Sequence, residues 1–166
     1  MRIKKEWISL FEEFYQQYDS SNPKIKERYL HTYRVVDRIE ELAISLHLTE
    51  EEIELAELIA LLHDIGRFEQ LSIYHTVNDR KSLDHGEYGV KILFEDGLIE
   101  KFKIPEEYYF RIHHVRPRFK GDIENVLIYM AEEITRVGEQ PTDEFVKKVN
   151  EAIYRYPGNA HRELKT

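Results

Sequence analysis

The chain contains no cysteine, which excludes a disulfide framework and any thiolate metal site, so a metal would have to be held by His, Asp or Glu. It also lacks long apolar runs: the longest stretches are a few residues, against the roughly 20 needed to span a bilayer. The opening MRIKKEWISLFEEFYQQY has basic residues but no apolar signal core behind them. A cytoplasmic location with no membrane partner is therefore expected. Positive charge is in deficit, with 24 Lys+Arg against 32 Asp+Glu and a formal net charge of -8. That balance argues against a nucleic-acid polymer as partner, because backbone binding needs a basic footprint. It leaves room for a local basic pocket that takes a small phosphate ester. Strand-like alternation, internal repeats and a second domain are absent as well.

What is present reads as helices joined by short loops, in a chain of 166 residues with 42% hydrophobic residues, enough for one real core. Trp7, Leu10, Phe11, Phe14 and Tyr18 recur at helical spacing. Asn22-Pro23 reads as a turn, and a second helix from about 26 to 47 carries His31, Val35, Ile39, Leu42 and Leu46 on one face. Thr49 and Glu52 form a capping-box pattern, and the helix after them carries Ile53, Ala56, Ala60 and His63 along one line, with Gly66 as its stop. Residues 68–82 look irregular, helical signals return from Asp84 to Phe94, and Pro105-Glu106-Glu107 suits a helix start. The expected organisation is an N-terminal helix (1–25), a core (26–137), and a C-terminal helix and tail (138–166) in one all-α domain.

The chemistry concentrates in Leu61-Leu62-His63-Asp64-Ile65-Gly66-Arg67. An imidazole and a carboxylate side by side at a helix end can reach one cation, and both suit zinc, iron, manganese or similar ions. A histidine on an apolar face is usually a hydrogen-bonded core residue. Here two of them, His31 and His63, lie on stripes that antiparallel helices bring together, with Asp64 adjoining. Arg67 and Lys81 are candidate phosphate clamps, and Asp84 and Glu87 candidate bases.

The segments His31-Thr32-Tyr33-Arg34-Val35-Val36, Ala60 to Arg67, and Asp84-His85-Gly86-Glu87-Tyr88-Gly89 resemble, in order and spacing, the HD-domain superfamily of metal-dependent phosphohydrolases. The resemblance covers roughly residues 26–137 and implies a compact HD-domain-like helical bundle. It implies that His31, His63 and Asp64 are metal ligands, with a fourth on a later helix where Glu132 stands in place of the usual Asp. It further implies that His85, His113 and His114 bind a second ion or contact phosphate, His113 being the inward member of its pair. The cofactor would be one or two divalent ions (Mn, Fe, Mg, Ni or Zn). The expected function is an enzyme hydrolysing a phosphomonoester or phosphodiester, a nucleotide by preference. In it Asp64, Arg67, His85 and His113 are catalytic, Arg67 and Lys81 meet phosphate, and a homodimer is compatible. The alternative is a weakened sensor that binds a phosphorylated metabolite or nucleotide without turnover.

Overall fold

Trp7, Phe11 and Phe14 fall on one side of the first helix, α1 (Lys5–Tyr15), and with Tyr15 they are buried. The computed structural model describes residues 3–82 and 84–109, together with residues 112, 131 and 147. Among the described residues the chain is helical with no strand, and no helix is long and apolar enough to cross a membrane.

The second helix, α2 (Pro23–Ser45), begins three residues earlier than the apolar stripe suggests. Asn22 is its N-cap, accepting a hydrogen bond from Lys24 N, and Pro23 takes the first helical position, where its missing N–H costs nothing. The pair expected to form a turn thus starts the helix. A short connection leads to α3 (Glu50–Leu62), whose capping box is formed as the sequence reading expects, from Thr49 and Glu52. His31 and His63 stand at nearly equal distances along the chain from this connection. Antiparallel helices rising 1.5 Å per residue therefore bring them to the same level. The seam buries Val35, Val36, Ile39, Leu58, Ile59 and Leu61 to within 1% of full exclusion. Each such side chain contributes roughly 1.5–3 kcal/mol relative to exposure.

Gly66 does not stop the helix. The chain bends at His63-Asp64 and resumes as α4 (Ile65–Tyr74), which takes up the first part, 68–74, of the stretch expected to be irregular. Phe68 explains it: fully buried on α4, it packs against Phe11, Phe14, Tyr15 and Tyr18, with ring centroids 5.7–6.1 Å away. The α1 aromatics thus fix α4 in place. Tyr29 and Tyr33 of α2 both donate to Glu12 Oε1, at 2.6 and 2.5 Å, and tie α1 to α2. Trp7 Nε1 donates to the carbonyl of Phe102 at 2.9 Å, joining α1 to the 3₁₀ turn Leu98–Phe102. A short helix, α5 (His85–Val90), is capped by Asp84 and runs on as a π-helical turn to Glu95.

The contact that sets the position of α5 is backbone against backbone. A Cβ added at Gly66 would lie 2.1 Å from the carbonyl oxygen of His85 and 2.7 Å from Gly89 N. Only glycine lets α4 and α5 approach so closely. At Gly89, by contrast, a Cβ would meet Ile65 Cγ2 at 3.5 Å, an ordinary contact. Gly66→Ala is therefore expected to destabilise the fold by about 2–3 kcal/mol through overpacking. Gly89→Ala is expected to be neutral or stabilising by up to about 1 kcal/mol through helix propensity. Urea unfolding of the two variants checks the contrast, and equal midpoints would contradict the close approach.

Candidate metal centre

Asp64 sits at the bend between α3 and α4 with only 3% of its surface exposed. A carboxylate so excluded from water must be met by positive charge or proton donors. Among the described residues, five groups from three helices and the α3–α4 bend meet it. His31 Nε2, from the middle of α2, lies 3.6 Å from Oδ2, and His63 Nε2, at the end of α3, lies 3.3 Å from the same oxygen. His85 Nε2, at the first position of α5, lies 3.4 Å from Oδ1. Arg28 Nη1, one turn before His31, reaches Oδ2 at 3.4 Å, and Arg67 Nε stands 3.9 Å from Oδ1.

Burial alone would raise the Asp64 carboxyl, but His63 and then His85 outweigh it and hold the group well below 3.8. Burial alone would depress His85, but Asp64 and Asp79 outweigh it and hold the imidazole above 6.5.

Two of the imidazoles facing Asp64, those of His63 and His85, are fixed from behind. His63 Nδ1 lies 2.5 Å from the carbonyl of Ala60, which can only accept, so Nδ1 carries the proton and Nε2 is the nitrogen turned toward Asp64. The ligand atoms of His31, His63 and Asp64 lie within 4.8 Å of one another. Two ligand atoms each about 2.1 Å from one ion are about 3.0–3.4 Å apart in octahedral or tetrahedral geometry. The separations of 3.3 Å for His63 and 3.4 Å for His85 fit that requirement, and the 3.6 Å for His31 is slightly longer; His31 and His63 face Oδ2, and His85 faces Oδ1. The donor set, three imidazoles and a carboxylate, suits a divalent transition metal.

Other expected site residues are placed differently. Arg67 turns inward, its Nη1 reaching Gln70 Oε1, the carbonyl of Val77 and Asp79 Oδ1 at 2.7–2.8 Å. Lys81 is exposed in the 3₁₀ turn Asp79–Lys81. Asp84 Oδ1 accepts from the backbone N–H groups of Gly86 and Glu87 as the N-cap of α5, and Glu87 is exposed. Glu132, His113 and His114 lie outside the described residues. Arg28, Gln70 and Asp79 were not singled out from sequence. Arg28 carried a signal, since it shares a helix face with His31 at i+3.

Residues 102–166 match the family model described as the N-terminal part of restriction endonuclease BpuJI. No curated protein and no solved structure matches the chain. The family match corrects the HD-domain resemblance and with it the small-nucleotide phosphohydrolase and the metabolite sensor. It spans residues 102–137, which that resemblance also claimed, including Glu132, His113 and His114. It equally corrects the expectation of no nucleic-acid partner. The physical flaw there was to treat net charge as uniform. Residues 102–166 contain 11 Lys+Arg and 11 Asp+Glu, so the whole acidic excess lies in residues 1–101. Within the matched stretch, Arg111, Arg116, Arg118 and Lys120 follow one another with no acid between them.

The shifted groups give a signed expectation for the metal-free protein. Asp64, held below 3.8, stabilises the fold above that pH and loses its contribution in acid. His85, held above 6.5, contributes fully below that pH and loses its contribution as pH rises through its folded value. Stability is expected to fall as pH rises above about 6.5, and His85→Gln is expected to flatten that fall. Urea midpoints across this range measure it, and a wild-type midpoint that rises with pH would contradict the assignment.

Proposed function

We propose that this chain is an enzyme that cuts a phosphodiester bond of DNA with a divalent cation held by His31, His63, Asp64 and His85. The observation that carries the reading is the convergence of three imidazole Nε2 atoms on one buried carboxylate. A set of this kind is costly to bury as a mere core feature and suits a cation. DNA as the substrate is supported by the similarity of residues 102–166 to part of a restriction endonuclease, and by the basic run Arg111 to Lys120.

When bound, the ion supplies Lewis-acid polarisation of a phosphoryl oxygen and lowers the pKa of a bound water. The protein's own groups do the rest. Asp64 provides the anionic ligand, and the Ala60 carbonyl holds His63 in the tautomer that presents Nε2. Arg28, with 24% of its side chain exposed beside Asp64, is placed to pair with a phosphate oxygen as charge develops on it. His85, whose Nδ1 donates to Asp79, would present Nε2 to the ion and so holds rather than transfers a proton.

Supercoiled plasmid incubated with the full chain and Mn²⁺ is expected to be nicked, and EDTA is expected to stop it. Asp64→Asn should lower the rate by about 100-fold or more through loss of the anionic ligand. Arg28→Ala should lower the salt slope of DNA binding by about one, the signature of one lost phosphate contact. Plasmid that is bound but stays intact with Mn²⁺, Mg²⁺, Ni²⁺ and Zn²⁺ would overturn the proposal.

A further inference from the structure

We infer that Asp79 is the positioning residue of this centre, holding His85 with its proton on Nδ1 so that Nε2 is presented to the cation, and that Gln70 and Arg67 hold Asp79 in turn. This rests on the metal-binding reading of the preceding subsection.

His85 Nδ1 lies 3.0 Å from Asp79 Oδ2 and 3.2 Å from Oδ1. An ionised carboxylate has no proton to donate, so Nδ1–H must donate to it. The opposite ring nitrogen then faces Asp64. Asp79 does for His85 what the Ala60 carbonyl does for His63, but with a full negative charge, which raises the basicity of the ligand nitrogen.

Asp79 is itself anchored by two side chains of α4, Gln70 and Arg67. Gln70 is fully buried, and its Nε2 donates to Asp79 Oδ1 at 2.8 Å and to Ser82 Oγ at 2.9 Å. Arg67 Nη1 donates to the same Asp79 oxygen at 2.8 Å and to the carbonyl of Val77 at 2.7 Å. Two side chains of α4 thus fasten the connection between α4 and α5 and aim the Asp79 carboxylate at His85. Asp79, Asp84 and His85 also lie close enough together to suggest a second cation site. Their atoms are otherwise employed: Asp84 caps α5, and Asp79 is offset by Arg67. The cluster orients a ligand of the first centre.

The test is zinc affinity by competition with a chromophoric chelator, together with long-range ¹H–¹⁵N spectra of the histidine rings in the zinc-loaded full chain. In the wild type, His85 should show a protonated Nδ1 and a zinc-bound Nε2. Asp79→Asn should weaken zinc binding about 10- to 100-fold and change the Nδ1 signal of His85, leaving that of His63 in place. Asp79→Glu should recover part of the affinity. Asp79 has 34% of its side chain exposed, so these variants should fold. If Asp79→Asn does not fold, Asp79→Ser reports the same two quantities. A variant that shifts only the melting temperature, with zinc affinity and the His85 signal unchanged, would overturn the inference. Wild-type protein that binds no zinc would overturn the metal-binding reading itself.

Discussion

A carboxylate buried as Asp64 is has to be surrounded by cations or proton donors, and the arrangement of α2 to α5 follows from that demand. Removing an ion of this size from water costs several kcal/mol even after relaxation. Here the compensation comes from parts of the chain far apart in sequence: Arg28 and His31 on α2, His63 at the end of α3, Arg67 on α4, and His85 on α5. Five partners around one anion make a junction that fails in pieces if any helix shifts, because a buried polar network is worth most when every member is satisfied.

Apolar packing is what lets so polar a junction exist. The α2–α3 seam sets the height at which His31 and His63 meet, and the aromatic residues of α1 clamp α4 through Phe68. Gly66 then lets the backbone of α5 press against α4, which carries His85 to the carboxylate. The core thus places the ligands in coarse register, and hydrogen bonds donated to the Ala60 carbonyl and to Asp79 make the final adjustment of the His63 and His85 rings. Precision at a site comes from this second layer, because a helix fixes a Cα but not the proton on an imidazole.

That division explains what could be read from the sequence. Helical class, the Thr49–Glu52 capping box and the meeting of His31, His63 and Asp64 depend on periodicity and on spacing about a turn, both of which are local patterns. The role of Gly66 was misread because a glycine after a helical stripe usually ends it, whereas this one serves a contact with residues 85–89 that no local pattern encodes. The α4 helix was missed because its apolar positions, Ile65, Phe68 and Leu71, are few and its surroundings are polar; burial against α1 outweighs that weak pattern. Asp79 and Gln70 carried no signal of their own. Their importance lies in a chain of hydrogen bonds across the α4–α5 connection, and such chains are properties of three-dimensional contact.

The charge argument failed for a related reason. A net charge of -8 is a sum over the whole chain, but in physiological salt a charge is felt over a Debye length of about 8 Å. Residues 1–101, which carry the acidic excess, and residues 102–166, which are balanced and hold four basic residues with no acid between them, are therefore not described by one sum. In the proposed reading the same locality applies at the centre. The acids nearest to it, Asp64 and Asp79, are already offset by Arg28, Arg67 and the imidazoles. A divalent ion added to such a cluster would be the largest local charge and would turn the field at its mouth positive. A phosphate diester approaching an acidic protein would then meet attraction where it reacts, whatever the sign of the distant surface.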